Sequence, residues 1–120
     1  MWTKFDSRSA TGHWMSWDMA NEWVIGLSTG GHRDWQMPTI AELKTLYDPQ
    51  YSVLANGNDA NFPMHFCLLF NSGGAWTYWS SENIAKAEFW TLNLNNGYDY
   101  AVDGNDESIN VGVRAVRNIK

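Results

Sequence analysis

Eight tryptophans in a chain of 120 residues constrain this fold more than any other feature. An indole is bulky, and its N–H must find an acceptor wherever it is buried. A chain so rich in Trp builds its core around indoles, presents an aromatic surface, or does both. Residues 1–120 have the length of a single domain with one core. The single Cys67 permits neither an internal disulfide nor a cysteine metal cage. It stands in the apolar run Phe66-Cys67-Leu68-Leu69-Phe70 and reads as a small buried hydrophobe.

Charge removes further classes of function. The formal net charge is -5 with only 8 Lys and Arg, so the clustered basic surface that binds nucleic acid or anionic lipid is missing. No run approaches the roughly 18 apolar residues of a membrane helix, and membrane insertion is not expected. Met1 to Asp6 lack the apolar stretch of a signal peptide. The chain as written is therefore expected to stay where it is made, unless cut from a longer exported parent, and its localisation is left open.

Local patterns place helices first and strands later. Residues 2–5 read as a short opening strand, followed by a polar turn from Ser7 to Gly12. Ser16 can cap a helix over 17–27, with Asp18 in its first turn and Ala20, Trp23, Val24 and Leu27 on one face. Gly30-Gly31 supplies a loop. Thr39 and Glu42 have capping-box spacing, announcing a second helix with Ile40, Leu43, Leu46 and Tyr47 inward and Asp48-Pro49 as its stop. Residues 51–61, rich in Asn, Gly and Asp, read as a loop. Strand patterns follow at 76–79 and 89–94, the latter alternating Trp90, Leu92 and Leu94 against Phe89, Thr91 and Asn93. Asn96-Gly97 is a hairpin signal leading into 98–102, and residues 109–119 read as the last strand. The expected class is α+β, with two short helices packed on a mostly antiparallel, twisted sheet with long loops.

Three separated segments then carry a family likeness. Gly30-Gly31-His32-Arg33-Asp34-Trp35-Gln36-Met37-Pro38-Thr39-Ile40-Ala41-Glu42-Leu43 resembles a GG-x-x-D-W-R-L-P-T-x-x-E-L signature. Trp79-Ser80-Ser81-Glu82 resembles a W-S-S motif, and Val113-Arg114-Ala115-Val116-Arg117 a closing V-R-A-V-R. Their order and spacing resemble the Lcl C-terminal domain family, a bacterial domain family of unknown function whose members are often exported. The resemblance covers nearly the whole chain and implies a fold of the C-type-lectin-like and formylglycine-generating-enzyme-like group. One position departs, with Gln36 where the signature carries Arg; if that Arg makes a buried ion pair, neutral hydrogen bonds must replace it here.

The resemblance obliges a test of oxidase chemistry. A two-cysteine copper site cannot be built from Cys67 alone, and His13, His32 and His65 are scattered without metal-ligand spacing. No carboxylate pair has a spacing that specifies a general acid and base. No enzyme activity is expected. Trp79 and Trp35 read as structural, the Ser hydroxyls of W-S-S bonding backbone. Arg114 and Arg117, three apart, point to opposite faces of an extended segment; one is expected to pair with a carboxylate near the core and the other to face water.

The late segment, 83–110, carries the binding expectation. Tyr, Asn, Ser and Gly dominate natural paratopes because rings give rigid area and amides give adaptable hydrogen bonds. Trp76, Trp90, Asn93, Asn95, Tyr98, Tyr100 and Asn105 are the candidate ligand-binding residues, and the lectin-like resemblance implies that this region is the exposed face. The ligand class is carbohydrate or protein. Asp99, Asp103, Asp106 and Glu107 offer hard oxygen ligands for calcium, yet neither EF-hand spacing nor a lectin calcium motif (Glu-Pro-Asn, Trp-Asn-Asp) is present. They read as a solvated acidic turn, and no cofactor is expected. The alternative to a binding module is a structural or oligomer-forming domain with its aromatics inside or on a subunit contact.

Overall fold

The computed structural model describes residues 2–3, 6–47, 75, 77–85, 87–104 and 111–117. Helix α1 covers Ser7–Thr11, α2 covers Trp17–Ile25 and α3 covers Ile40–Lys44, with a 3-10 turn at Thr29–Gly31. Strands β1 (Thr77–Ala85), β2 (Glu88–Asn93) and β3 (Asp99–Asp103) form an antiparallel sheet in the order β1-β2-β3. The class is α+β.

Where local chemistry is strong, elements begin where the sequence puts them, although α2 ends at Ile25 rather than at 27 and α3 at Lys44, before Leu46 and Tyr47. The Met19 N–H donates to Ser16 Oγ at the start of α2, and Ala20 and Val24 are buried beneath it. At α3 the capping box closes both ways: Glu42 N–H donates to Thr39 Oγ1 at 3.1 Å and Thr39 N–H to Glu42 Oε1 at 2.9 Å. Ile40, Leu43 and Leu46 are buried, with Tyr47 half-buried; the Asp48-Pro49 stop and the 51–61 loop lie outside the described residues. The hairpin between β2 and β3 turns at Gly97, whose φ of +77° suits glycine. A Cβ there would also stand 2.9 Å from Tyr47 Cε2.

Three expectations are corrected. The polar turn at 7–12 is helix α1, anchored by tertiary bonds rather than by an apolar stripe. Ser7 N–H donates to the Val113 carbonyl at 2.8 Å, and Ser7 Oγ accepts from Val113 N–H at 2.9 Å. The last strand, expected over 109–119, is not continuous among the described residues. Residues 111–117 instead make isolated bridges, Val116 with Trp2 and Gln36, and Gly112 with Tyr78, because different neighbours claim successive stretches of backbone. The opening strand likewise reduces, at Trp2 and Thr3, to bridging with Val116 and a Thr3 N–H bond to Ala115. A Cβ on Gly112 would lie 2.9 Å from Ala75 Cβ, so this crossing needs a residue without one.

The sheet is covered on both sides. Tyr78, Leu92 and Leu94 join Ile40, Leu43 and Leu46 in one cluster, against which Trp2, Trp14, Tyr47 and Trp90 pack. Trp79 joins Met15, Ala20, Val24, Trp35, Val111, Val113 and Ala115 in the other, with Trp17, Trp23, Phe89 and Val102 around it. Neighbours Tyr78 and Trp79 thus point to opposite cores, as successive strand residues must.

Candidate functional site

Several motif side chains bond inward, but Asp34 is exposed and so is Ser81, whose hydroxyl, expected to bond backbone as that of Ser80 does, has no partner among the described residues. Trp79 Nε1–H donates to the Met15 carbonyl at 2.8 Å, and Trp35 Nε1–H to the Thr29 carbonyl at 3.1 Å. Ser80 Oγ donates to the Trp90 carbonyl at 2.7 Å, and Glu82 Oε1 accepts the Ile40 N–H at 3.0 Å. Arg114 is fully buried with Asp6 and Tyr78: its Nη1 donates to the Thr3 carbonyl at 2.8 Å, and its Nη2 lies 3.9 Å from Asp6 Oδ2. The same Asp6 oxygen accepts the Tyr78 hydroxyl at 2.6 Å and the Ala75 N–H at 2.8 Å. Burial drives the Tyr78 phenol well above its ordinary pKa.

Arg117, by contrast, meets the exposed Asp34 at 2.7 Å, and that hydrogen bond holds the Asp34 carboxyl below its ordinary value. Both arginines therefore have carboxylate partners, one pair inside and one at the surface. Gln36, at the signature's Arg position, is exposed and pairs with Val116 through its backbone, N–H to carbonyl in both directions.

Among the described residues, the exposed aromatic side chains are on the hairpin. Thr91 pairs with Tyr100 and Phe89 with Val102, so Tyr98, Tyr100 and Asn93 lie on the Phe89–Thr91–Asn93 side of the strands. Tyr98 is 69% exposed and Tyr100 40%. Asn93 Nδ2 donates to the Tyr100 hydroxyl at 2.6 Å, and Asn93 Oδ1 accepts the Asn95 N–H at 2.7 Å, which steadies the turn. These four candidates come together. Trp90 does not join them: its side chain packs against the core on the opposite side of the sheet. Trp76 and Asn105 lie outside the described residues.

The two described acidic candidates stand apart. Asp99 and Asp103 are exposed at the two ends of β3, about 13 Å apart along an extended strand. Asp106 and Glu107 lie outside the described residues, as do His65 and Cys67. Among the described residues no three His, Cys, Asp or Glu gather as a metal would require. Nor, among them, is any helix long and apolar enough to cross a membrane.

A concavity that the sequence reading missed lies elsewhere, between α2, the segment 35–39 and β1. It encloses about 550 Å³, and Trp17, Asn21, Gln36, Glu42 and Ser81 stand around it. These residues come from four separate stretches of chain, and no spacing motif joins them.

No curated protein and no solved structure matches the chain. The family model described as the Lcl C-terminal domain matches residues 1–117, a span that takes in all three motifs and the frame they build. The chain belongs to the Lcl C-terminal domain family.

Proposed function

We propose that this domain is a non-catalytic ligand-binding module of C-type-lectin-like fold, recognising a carbohydrate chain or a protein surface through the Tyr98, Tyr100 and Asn93 side of its hairpin. The observation that carries the reading is the exposure of two phenols on one face of a braced hairpin, while the motif indoles are bonded inside. Tyrosine gives a binding surface large area at little entropic cost, because only two side-chain torsions need be fixed. The amide of Asn93 adds both a donor and an acceptor beside the rings. The order of helices before an antiparallel sheet is in keeping with the lectin-like group. No cofactor forms part of this reading.

The test is a glycan-array screen and a protein-array screen of the purified domain, each run with calcium and again with a chelator. Calcium-independent hits are expected. Hits that need calcium would shift the site to the acidic residues Asp99, Asp103, Asp106 and Glu107. Blank arrays of both kinds would overturn the binding reading in favour of a structural or oligomer-forming domain.

A further inference from the structure

The groove beside α2 is separate from the hairpin face and has the make-up of a small-molecule site. Its volume of about 550 Å³ falls within the roughly 300–1,000 Å³ usual for such sites. Val24 supplies an apolar floor, and Trp17 a fixed aromatic wall. The Trp17 ring cannot swing freely: its Nε1–H donates to the Ser80 carbonyl at 2.8 Å, and it stacks on Phe89 at 4.0 Å. A ring already held in this way loses little freedom when a ligand lies on it.

The polar groups around the wall are available. The side chains of Asn21, Gln36 and Ser81 have no hydrogen-bond partner among the described residues, and Glu42 uses Oε1 in its capping box while Oε2 can take another donor. Among the described residues no Lys, Arg or His lines the groove, and Glu42 carries the only formal charge there. A phosphate, sulfate or carboxylate would meet a like charge and no cation. A wholly apolar ligand would cover two amides and a hydroxyl without pairing them, which is costly. A sugar ring has an apolar face for the indole and hydroxyls for the amides and carboxylate.

We propose that this groove binds a short neutral saccharide, with one sugar face on Trp17 and hydroxyls bonded to Asn21, Gln36, Ser81 and Glu42. The site stands independently of the hairpin and would operate whether or not the hairpin binds a partner.

The experiment is a titration of the isotope-labelled domain with maltose, cellobiose and lactose, followed by amide and indole N–H resonances, with glucose 6-phosphate as the anionic comparison. Saturable shifts are expected at the Asn21 and Gln36 side-chain amides and the Trp17 indole for at least one sugar. The expected dissociation constant is in about the millimolar range. Asn21→Ala and Gln36→Ala should each weaken that binding about fivefold, the loss of one hydrogen bond, with the remaining spectrum unchanged as proof of folding. The double variant Tyr98→Ala/Tyr100→Ala should bind the sugar as the parent does. Groove resonances unmoved by all three sugars would overturn the proposal, as would glucose 6-phosphate binding there as tightly as the neutral sugars. Shifts confined to the hairpin would also overturn it, while leaving the hairpin reading intact.

Discussion

Tyr78 and Trp79 on β1, and Tyr98 and Tyr100 on the hairpin, are two aromatic pairs on one sheet, held in opposite ways. The β1 pair is fully buried, and each polar atom is matched: the Trp79 indole to Met15, the Tyr78 hydroxyl to Asp6 and Arg114. The hairpin pair is exposed, and Tyr100 bonds to its neighbour Asn93 without drawing either ring inside. The buried rings of β1 have their polar atoms matched by groups that are themselves buried, whereas the hairpin phenols find, among the described residues, a partner only in another hairpin side chain. The division separates what holds the fold from what is available to a ligand.

The largest effect should come from breaking the inner set. Trp79→Ala leaves a cavity between the sheet and α2 and frees the Met15 carbonyl; calorimetry or denaturant unfolding should show a loss of about 3–5 kcal/mol. Tyr78→Phe keeps the ring but deprives Asp6 of a donor in a buried charged cluster, and should cost about 1.5–3 kcal/mol at neutral pH. The same residue gives a pH dependence. Burial raises the folded-state pKa of Tyr78 above the unfolded value, so the folded chain keeps a proton that the unfolded chain releases. Stability is complete below the ordinary tyrosine pKa of about 10 and falls as pH rises beyond it. That alkaline fall should be shallower in Tyr78→Phe.

Smaller effects sharpen the contrast at the surface. Gly97→Ala forces a side chain onto a positive φ and against the Tyr47 ring, and should cost about 1–2 kcal/mol while disturbing the register that presents Tyr98. Arg117→Ala breaks an exposed pair, so the melting temperature should hardly move. The Asp34 carboxyl should then titrate at a higher pH, readable by NMR, because the hydrogen bond that holds it low is gone. In the parent that pair's small contribution is present above the ordinary carboxylate pKa and is lost as pH falls through the lowered value.

What could be read from the sequence was what local chemistry decides. The Ser16 cap, the Thr39–Glu42 box and the Asn96-Gly97 turn each need only residues a few places apart, and each forms as read. Helix α1 was not legible, because Ser7-Arg8-Ser9-Ala10-Thr11 has no apolar period and its anchor, Val113, is 106 residues away. The fate of Arg114 was equally remote, since Asp6 and Thr3 come from the other end of the chain. Within the candidate site, Tyr98, Tyr100 and Asn93 shared a hairpin in the sequence and share a face in the fold. Trp90 was grouped with them by proximity, although its own alternation with Leu92 and Leu94 placed it with the core. The groove had no signature at all, because tertiary packing alone assembles it.

The central claim is that the exposed hairpin phenols, rather than the buried indoles, form the recognition surface. The most direct measurement compares Tyr98→Ala/Tyr100→Ala with the parent on the same glycan and protein arrays, with thermal unfolding run alongside. The account predicts that the parent's hits disappear, apart from short neutral saccharides held in the groove beside α2, while stability changes by no more than about 0.5 kcal/mol, as for surface positions. Protein hits, or glycan hits other than short neutral saccharides, that survive the double substitution in a fully folded variant would contradict it.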